Sequence, residues 1–217
     1  MSRDYSTWLN PKRALMLRIV HRENIPWILD NGLHCGNSGV TSSTWVHIGN
    51  QELIVKRSMH RVPLGAGGYV NDYVPFYFTP FSPMMANIFK GHAGVVQRAR
   101  DEIVILVSSL HRIVKLNLPF VFTDMHAYYE WANFYISLDD LDKIDWKMLQ
   151  LRDFKRDPND PMKFERYQAE VLVHNYCPVD ALLGMVCYTD DVKAQLEAYV
   201  QQRSLSLTIA TRPDWFL

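Results

Sequence analysis

The spacing of hydrophobic positions along the chain predicts a mixture of strands and helices. Apolar residues at every second position predict a strand at 17–21, and the segment 101–108, with its unbroken apolar run, predicts a strand buried on both faces. Helical spacing is clearest at 190–204. By the same patterns we expect further strands at 74–79, 118–124, 169–174, 184–188 and 205–210, and further helices at 23–33, 51–59, 83–90, 126–135 and 139–150. Because strands and helices do not alternate regularly, an α+β fold is favoured over a doubly wound parallel sheet.

Capping residues predict where three of these helices begin and where two of them end. Asn24, Asn50 and Ser82 each stand just before a helical pattern, where a side-chain oxygen can accept a hydrogen bond from the first turn. Gly32 and Gly91 follow two of the patterns and provide the left-handed conformation that stops a helix.

Composition and charge narrow the class of protein. The 217 residues are 48% hydrophobic and 21% charged, as in ordinary globular proteins, and we expect a single domain over 1–217. Lys plus Arg and Asp plus Glu both number 23, which gives a formal net charge of zero. That balance argues against a protein that coats nucleic acid through bulk charge, although it leaves room for a local basic patch.

The cysteines and the lengths of the apolar runs indicate the cellular compartment of the protein. Cys35, Cys177 and Cys187 lie far apart and form no CxxC pair, so they predict neither a zinc site nor a disulfide framework and indicate a reducing compartment. No signal segment opens the chain, and the longest aliphatic run is far short of the ~20 residues of a membrane span. We therefore expect a soluble cytoplasmic monomer with no metal and no membrane partner.

The segment 72–84, DYVPFYFTPFSPM, is the first candidate for binding chemistry. It combines five aromatic residues with three prolines, and the prolines predict an edge strand or a strand that runs into a turn. Aromatic faces beside the start of a helix suit stacking against a planar ring, with helix N–H groups nearby. A hydrophobic corner of the core is the alternative interpretation.

Two charged residues are placed where charge is costly. Glu170 opens an apolar strand, shares a face with Gln168, and can accept a hydrogen bond from a ribose hydroxyl or take up a proton. Arg57 falls on the apolar side of its predicted helix, and an inward arginine usually meets a phosphate or a carboxylate. The alternatives are a solvent-facing carboxylate for Glu170 and an arginine stem that covers apolar surface for Arg57.

Histidines and a basic segment provide the remaining candidates. His21 ends a predicted strand and His126 begins a predicted helix, and either can be structural or can bind a ribose hydroxyl. Five basic residues precede Glu170 in a segment that is either solvated or able to bind a polyanion: Arg152, Lys155, Arg156, Lys163 and Arg166.

Four segments of the chain together resemble one family, the DarT toxins, which are the DNA ADP-ribosyltransferases of DarTG toxin–antitoxin systems. The matching segments are 18–33, 72–84, 122–135 and 166–173, and the second is the most distinctive. The resemblance implies an ADP-ribosyltransferase-like split β-sheet core with surrounding helices. It also implies that NAD⁺ is cleaved at the nicotinamide–ribose bond and that ADP-ribose passes to a base, thymine above all, of single-stranded DNA. Blocked replication, toxicity and a DarG-like macrodomain antitoxin as partner are implied as well.

The resemblance assigns roles to individual residues. Its implied catalytic residues are Glu170, Arg57 and His126. Residues implied to bind NAD⁺, besides Arg57, are His21, Glu23, Tyr77, Phe78, Ser82 and Met84. Within and beside a substrate-recognition loop at 153–167, the residues implied to bind DNA are Lys155, Arg156, Arg166 and Gln168.

Other functions stay open at the level of sequence. The acceptor can be guanine, or a protein recognised through the pair Gln168 and Glu170. A non-catalytic nucleotide-binding module would use Glu170 only structurally. A metal-dependent nuclease is disfavoured because no carboxylate cluster with metal-ligand spacing is present.

Overall fold

Eight strands form one twisted sheet, and the helices pack around it. The computed structural model describes residues 4–217. The strands are β1 (Leu15–His21), β2 (Leu33–His34), β3 (Tyr73–Tyr77), β4 (Ile103–Ser109), β5 (Phe120–Thr123), β6 (Phe134–Tyr135), β7 (Glu170–His174), β8 (Tyr176–Cys177), β9 (Gly184–Cys187) and β10 (Thr208–Thr211). The helices are α1 (Ile25–Asn31), α2 (Gln51–Ser58), α3 (Pro83–Lys90), α4 (Leu110–Lys115), α5 (Trp146–Leu151), α6 (Lys163–Arg166) and α7 (Asp190–Gln202). Each strand predicted from the sequence is present, and the α+β class is confirmed.

The strand order divides the sheet into two halves. The order is β10-β9-β4-β1-β3-β7-β5-β6, and β2 pairs with β8 in a separate small ribbon. Strand β1 pairs with β4 over its whole length, whereas β1 and β3 share only the pair Leu17 and Tyr77. The two halves therefore separate beside that pair, which is the split sheet expected for the fold.

The proline-rich strand β3 lies inside the sheet, so the edge strand, one of the two expectations, is wrong. The other expectation is confirmed, because β3 ends at Tyr77 and bends lead from there to α3. The carbonyl of Pro75 accepts a hydrogen bond from Arg18 of β1 and hence faces the split. In an extended strand the nitrogen and the carbonyl of one residue face the same neighbour. The donor that proline lacks is thus missing where β3 has almost no ladder partner, and the sheet tolerates it.

The capping residues behave as predicted with one exception. Asn50 and Ser82 accept hydrogen bonds from the first turns of α2 and α3, and Gly32 and Gly91 have positive φ after α1 and α3. Asn24 makes no side-chain cap. Its amide is buried and exchanges two hydrogen bonds with the backbone of Val46, so it fixes the long loop before α2 instead.

The helix predicted at 126–135 is also wrong, because the segment consists of turns followed by β6. The N–H of His126 donates to the carbonyl of Glu165, and the carboxylate of Asp124 accepts both the backbone and the side-chain N–H of Asn133. These bonds close the segment into a loop whose ends lie close together. Tertiary contacts therefore override the helical spacing.

Candidate active site

Glu170 lies at the point where the sheet splits. It is the first residue of β7 and pairs with Tyr77, the last residue of β3, which in turn faces Leu17 of β1. Its side chain is only 1% exposed. A carboxylate buried to this degree requires partners, and the neighbouring elements supply them.

Arg57 and His126 converge on one oxygen of Glu170. Helix α2 directs Arg57 inward, and its Nη1 donates to Oε1 of Glu170 at 2.9 Å. Nδ1 of His126 lies 2.9 Å from the same oxygen. Both partners are themselves buried, at 7% and 2% exposure. The three side chains come from distant parts of the chain and form one cluster at the split.

The cluster is not saturated. Oε2 of Glu170, Nη2 of Arg57 and Nε2 of His126 are all buried and have no partner among residues 4–217. Nδ1 of His126 has only its 2.9 Å contact with Glu170, which does not have hydrogen-bond geometry. Buried polar atoms in folded proteins are nearly always paired, so three unpaired ones around one carboxylate make the cluster a candidate place for a ligand.

The charges fix the ionisation of Glu170. Burial would raise the pKa of Glu170, but attraction to Arg57 and then to His126 outweighs it and lowers the pKa to about 2. The same burial, together with the charge of Glu170, raises the pKa of the Tyr77 phenol well above its ordinary value. The cluster therefore presents an ionised carboxylate beside a neutral tyrosine at neutral pH.

Two cavities open on either side of His126 and Tyr77. The first is lined by Arg57, Met84 and the loop 45–50, which the bonds from Asn24 to Val46 hold in place. The second has an aromatic and polar lining, which includes Tyr128, Tyr129, Arg156, Phe164 and Gln168. The two linings share Tyr77, Met84 and His126, so substrates in the two cavities would meet beside His126, the neighbour of Glu170.

An aromatic ladder leads from the cluster to the surface. His126 contacts Tyr128 with ring centroids 4.8 Å apart, and Tyr128 contacts Tyr129 at 4.2 Å. Tyr129 stacks on Trp131 at 5.0 Å with an angle of 23° between the ring planes. The outermost ring, that of Trp131, belongs to a residue that is 55% exposed.

Comparison with known proteins identifies the family. A family model described as "ssDNA thymidine ADP-ribosyltransferase, DarT" matches residues 17–217. The chain belongs to the DarT family. A DNA ADP-ribosyl transferase of Escherichia coli O127:H6 is 58% identical over 216 residues, which are 100% of this chain and 99% of that protein. Another from Thermus sp. (strain 2.9) is 34% identical over 212 residues, which are 95% and 97% of the two chains.

Solved structures of a DarT-family protein have the same fold. Thermus sp. 2.9 DarT in complex with ADP-ribosylated ssDNA superposes with a TM-score of 0.87 at 29% identity, and each chain is covered over 100% of its length. The same Thermus protein in complex with NAD⁺ gives a TM-score of 0.82 at 29% identity, with 95% of this chain and 99% of that chain covered. The expected fold is confirmed, and so is the enzyme class, an ADP-ribosyltransferase that uses NAD⁺ as co-substrate.

The residues assigned from the DarT resemblance divide into two groups. Arg57, Tyr77, Met84 and His126 line the first cavity, and Gln168 and Arg156 line the second. The others have different surroundings.

Several residues assigned to NAD⁺ are engaged elsewhere in the protein. Phe78 is fully buried in the core against Phe122 and Trp146, and Ser82 caps α3. His21 accepts the N–H of Glu23 through Nδ1, while its Nε2 lies 3.3 Å from a carboxylate oxygen of Glu102. The side chain of Glu23 is exposed.

The basic segment before Glu170 is largely neutralised from within. Arg166 makes two hydrogen bonds, of 2.9 and 2.7 Å, to the carboxylate of Asp160, and Lys163 pairs with Asp153. Arg166 therefore helps to hold this segment together through Asp160, and its role in DNA binding stays a prediction. Lys155 is exposed. The Arg156 side chain is 71% exposed, and its Nη1 lies 3.4 Å from a carboxylate oxygen of the buried Glu165.

Sequence reasoning missed the loop 45–50, the aromatic ladder and Arg18, which also lines the first cavity. Arg18 carries the one detectable signal, since it is an arginine inside the apolar strand LMLRIVH. Among residues 4–217 no three His, Cys, Asp or Glu side chains gather as metal ligands, and no helix there is long and apolar enough to cross a membrane.

Proposed function

We propose that this DarT-family enzyme transfers ADP-ribose from NAD⁺ to a thymine base of single-stranded DNA and releases nicotinamide. The observation that carries the proposal is the buried cluster of Glu170, Arg57 and His126 with its three unpaired polar atoms at the split of the sheet. Thermus DarT, whose solved structures contain NAD⁺ and ADP-ribosylated ssDNA, supports both substrates.

The first step is the departure of nicotinamide. The bond between C1′ of the ribose and the nicotinamide nitrogen breaks, its electron pair leaves with nicotinamide, and positive charge develops on the sugar. An ionised Glu170, with a pKa lowered to about 2, stabilises that charge in a site from which water is largely excluded. Its free Oε2 is available to the sugar or to a ribose hydroxyl.

The second step is attack by the base. The ring N–H of thymine is unreactive until its proton leaves, and Glu170 is the acceptor for that proton. As Arg57 turns toward a carbonyl oxygen of the base, Glu170 loses the attraction that lowers its pKa and becomes the stronger base. Arg57 meanwhile stabilises the negative charge on the ring, and the new bond forms between the ring nitrogen and C1′.

The second cavity supports an unpaired DNA strand as substrate. The attacking nitrogen lies on the pairing edge of thymine, so a duplex hides it. The ladder from Tyr128 to Trp131 presents ring faces to bases that flank the target, and stacking of this kind is a sequence-tolerant way to bind single strands. Arg156 is exposed at the same cavity and meets Glu165 through Nη1 alone, at 3.4 Å, so its other donors can turn to a phosphate.

A modified pairing edge blocks replication, which would make the protein a toxin with a macrodomain antitoxin of the DarG kind as its partner. Expression of the chain in a bacterial host, with and without such a macrodomain, tests that role. Growth arrest that the macrodomain relieves is expected. Unimpaired growth with abundant active enzyme would contradict it.

The chemistry is tested by mass spectrometry of short oligonucleotides after incubation with enzyme and NAD⁺. We expect an added ADP-ribose on thymine in single strands, with release of nicotinamide, and much less product from the matching duplex. Modification of guanine alone would replace the proposed acceptor, and labelling of protein without DNA would replace the proposed substrate class.

A further inference from the structure

Arg18 is a half-buried cation without a role in the proposed chemistry. It stands in the middle of β1, and its Nη1 donates to the carbonyl of Pro75 across the split at 2.8 Å. Its Nε is buried without a partner among residues 4–217. A backbone carbonyl is a neutral acceptor, so this contact leaves the charge of the guanidinium uncompensated.

The charges of the cleft do not balance. Glu170 compensates Arg57 through the 2.9 Å bond, but no carboxylate of the described residues lies within ion-pair distance of Arg18. Burial, together with repulsion from Arg57, lowers the pKa of Arg18 to about 10, which still leaves it charged at neutral pH. The buried guanidinium of Arg57 and the half-buried one of Arg18 therefore share one carboxylate, and the cleft carries an excess positive charge. Such a charge is usually matched by an anion.

Arg18 also occupies a boundary between two cavities. It lines the first cavity, which reaches the Glu170 cluster, and a third cavity on the other side of Arg57. The third cavity is lined by aromatic side chains, including Trp27, His34 and Trp45. Trp27 lies 5.5 Å from Trp45 and 5.9 Å from His34 between ring centroids. The ring planes are inclined at 84° and 60°, so the three side chains pack on one another as an aromatic wall, and such a wall suits a flat heteroaromatic group such as a purine.

The co-substrate NAD⁺ carries the groups that would complete this arrangement, an anion for Arg18 and a purine for the third cavity. NAD⁺ carries a flat ring at each end and a doubly charged diphosphate between them. With nicotinamide riboside at the Glu170 cluster and adenine in the third cavity, the diphosphate falls at the boundary between the cavities. That boundary is where the uncompensated guanidinium lies.

We propose that Arg18 binds the diphosphate of NAD⁺ and thereby positions the nicotinamide riboside end against Glu170. The inference rests on the function proposed above, because it takes the Glu170 cluster as the reacting end. A guanidinium suits this task, since its planar donors bind phosphate oxygens in pairs while Nη1 stays on Pro75.

The alternative is that Arg18 only ties β1 to β3. The two roles differ in what a substitution changes. If Arg18 is only a structural tie, its replacement lowers the stability of the fold and weakens the binding of every ligand alike. If Arg18 binds the diphosphate, its replacement weakens the binding only of molecules that carry a diphosphate.

The test uses Arg18→Gln, which keeps a donor for the Pro75 carbonyl but removes the charge, and Arg18→Lys, which keeps the charge. Arg22→Met is the matched control, because Arg22 is half-exposed and pairs with Asp101. Binding of NAD⁺, ADP-ribose and nicotinamide is measured by calorimetry or by competition, with the melting temperature of each variant alongside.

We expect Arg18→Gln to lower the affinity for NAD⁺ and for ADP-ribose about 10- to 100-fold, which is the range for loss of charge-assisted hydrogen bonds. The affinity for nicotinamide should stay unchanged. Arg18→Lys should recover part of the loss, and Arg22→Met should behave as wild type. Equal weakening of nicotinamide and ADP-ribose, or unchanged ADP-ribose affinity in Arg18→Gln, overturns the inference. If wild type binds both NAD⁺ and ADP-ribose and yet modifies no DNA, the proposed function fails while the role of Arg18 stands.

Discussion

Replacement of Arg57 by methionine removes the cation that faces Glu170 but keeps most of the apolar stem. In the wild type the pKa of Glu170 falls from its ordinary value of 4.5 to about 2, which corresponds to about 3 kcal/mol in favour of the ionised carboxylate. Without Arg57 the burial of the carboxylate is opposed mainly by His126. We expect the free energy of unfolding at pH 7 to fall by about 3–5 kcal/mol, as for other broken buried pairs.

The loss should depend on pH in a definite direction. In the wild type the contribution of Glu170 is fully present above pH 4.5 and disappears as the pH falls through a pKa of about 2. In Arg57→Met, burial raises the pKa of the same carboxyl, so its penalty is largest at neutral pH and is relieved as the pH falls. The difference in stability between the two proteins should therefore narrow on acidification.

The assay is urea unfolding at several pH values between 7 and 3, with Glu170→Gln and the double variant completing a mutant cycle. We expect a coupling energy at neutral pH that shrinks toward acid. A stability difference that is independent of pH, or a coupling energy near zero, would refute the role of the buried pair.

Three further predictions follow from the cleft. Trp131→Ala should raise the KM for single-stranded DNA about 10-fold, because a stacking face is lost, and should leave NAD⁺ binding unchanged. The control Tyr199→Ala, on the distant helix α7, should change neither quantity. An unaltered KM for Trp131→Ala would exclude the ladder from DNA binding. Asn24→Ala should free the loop 45–50, which hydrogen exchange of that loop would report as faster, and should weaken NAD⁺, whereas unchanged exchange would show that other contacts hold the loop. Arg156→Ala should reduce the slope of log affinity for DNA against log salt concentration by about 1. Arg166→Ala should leave the slope as it is, because Asp160 already pairs with that charge. The opposite ranking would contradict the assignment of Arg156 to a phosphate.

Local signals were sufficient for much of the fold. Asn50, Ser82 and Gly91 act as the sequence predicts because a cap depends on a few adjacent residues. The buried strand β4 was predictable from its unbroken apolar run, since only a strand covered on both faces is apolar throughout.

Non-local contacts decided the rest. The helical spacing at 126–135 is overridden by bonds to Asp124 and to the carbonyl of Glu165, which no local pattern reveals. Asn24 has the residue type and position of a cap, but Val46 lies within reach and takes its amide. These two failures concern segments that shape the two cavities.

The candidate site could be predicted in its parts but not in its assembly. Glu170 and Arg57 were detectable because each places a charge on an apolar surface. Arg57 and His126 meet on one oxygen of Glu170 because the sheet order joins β7 to β3 at the split, and no local pattern reveals that order. For Arg166 the sequence suggested a charge free to bind DNA, but in the fold Asp160 pairs with that charge, and the sequence alone does not reveal this pairing.

The transfer reaction of Glu170→Gln tests the central claim most directly. The substitution keeps the size of the side chain and removes its charge. With NAD⁺ and a thymine-containing oligonucleotide, we expect no ADP-ribosylated DNA and little release of nicotinamide, while NAD⁺ binding measured on the same sample is largely retained. Transfer by this variant at the wild-type rate would contradict the account.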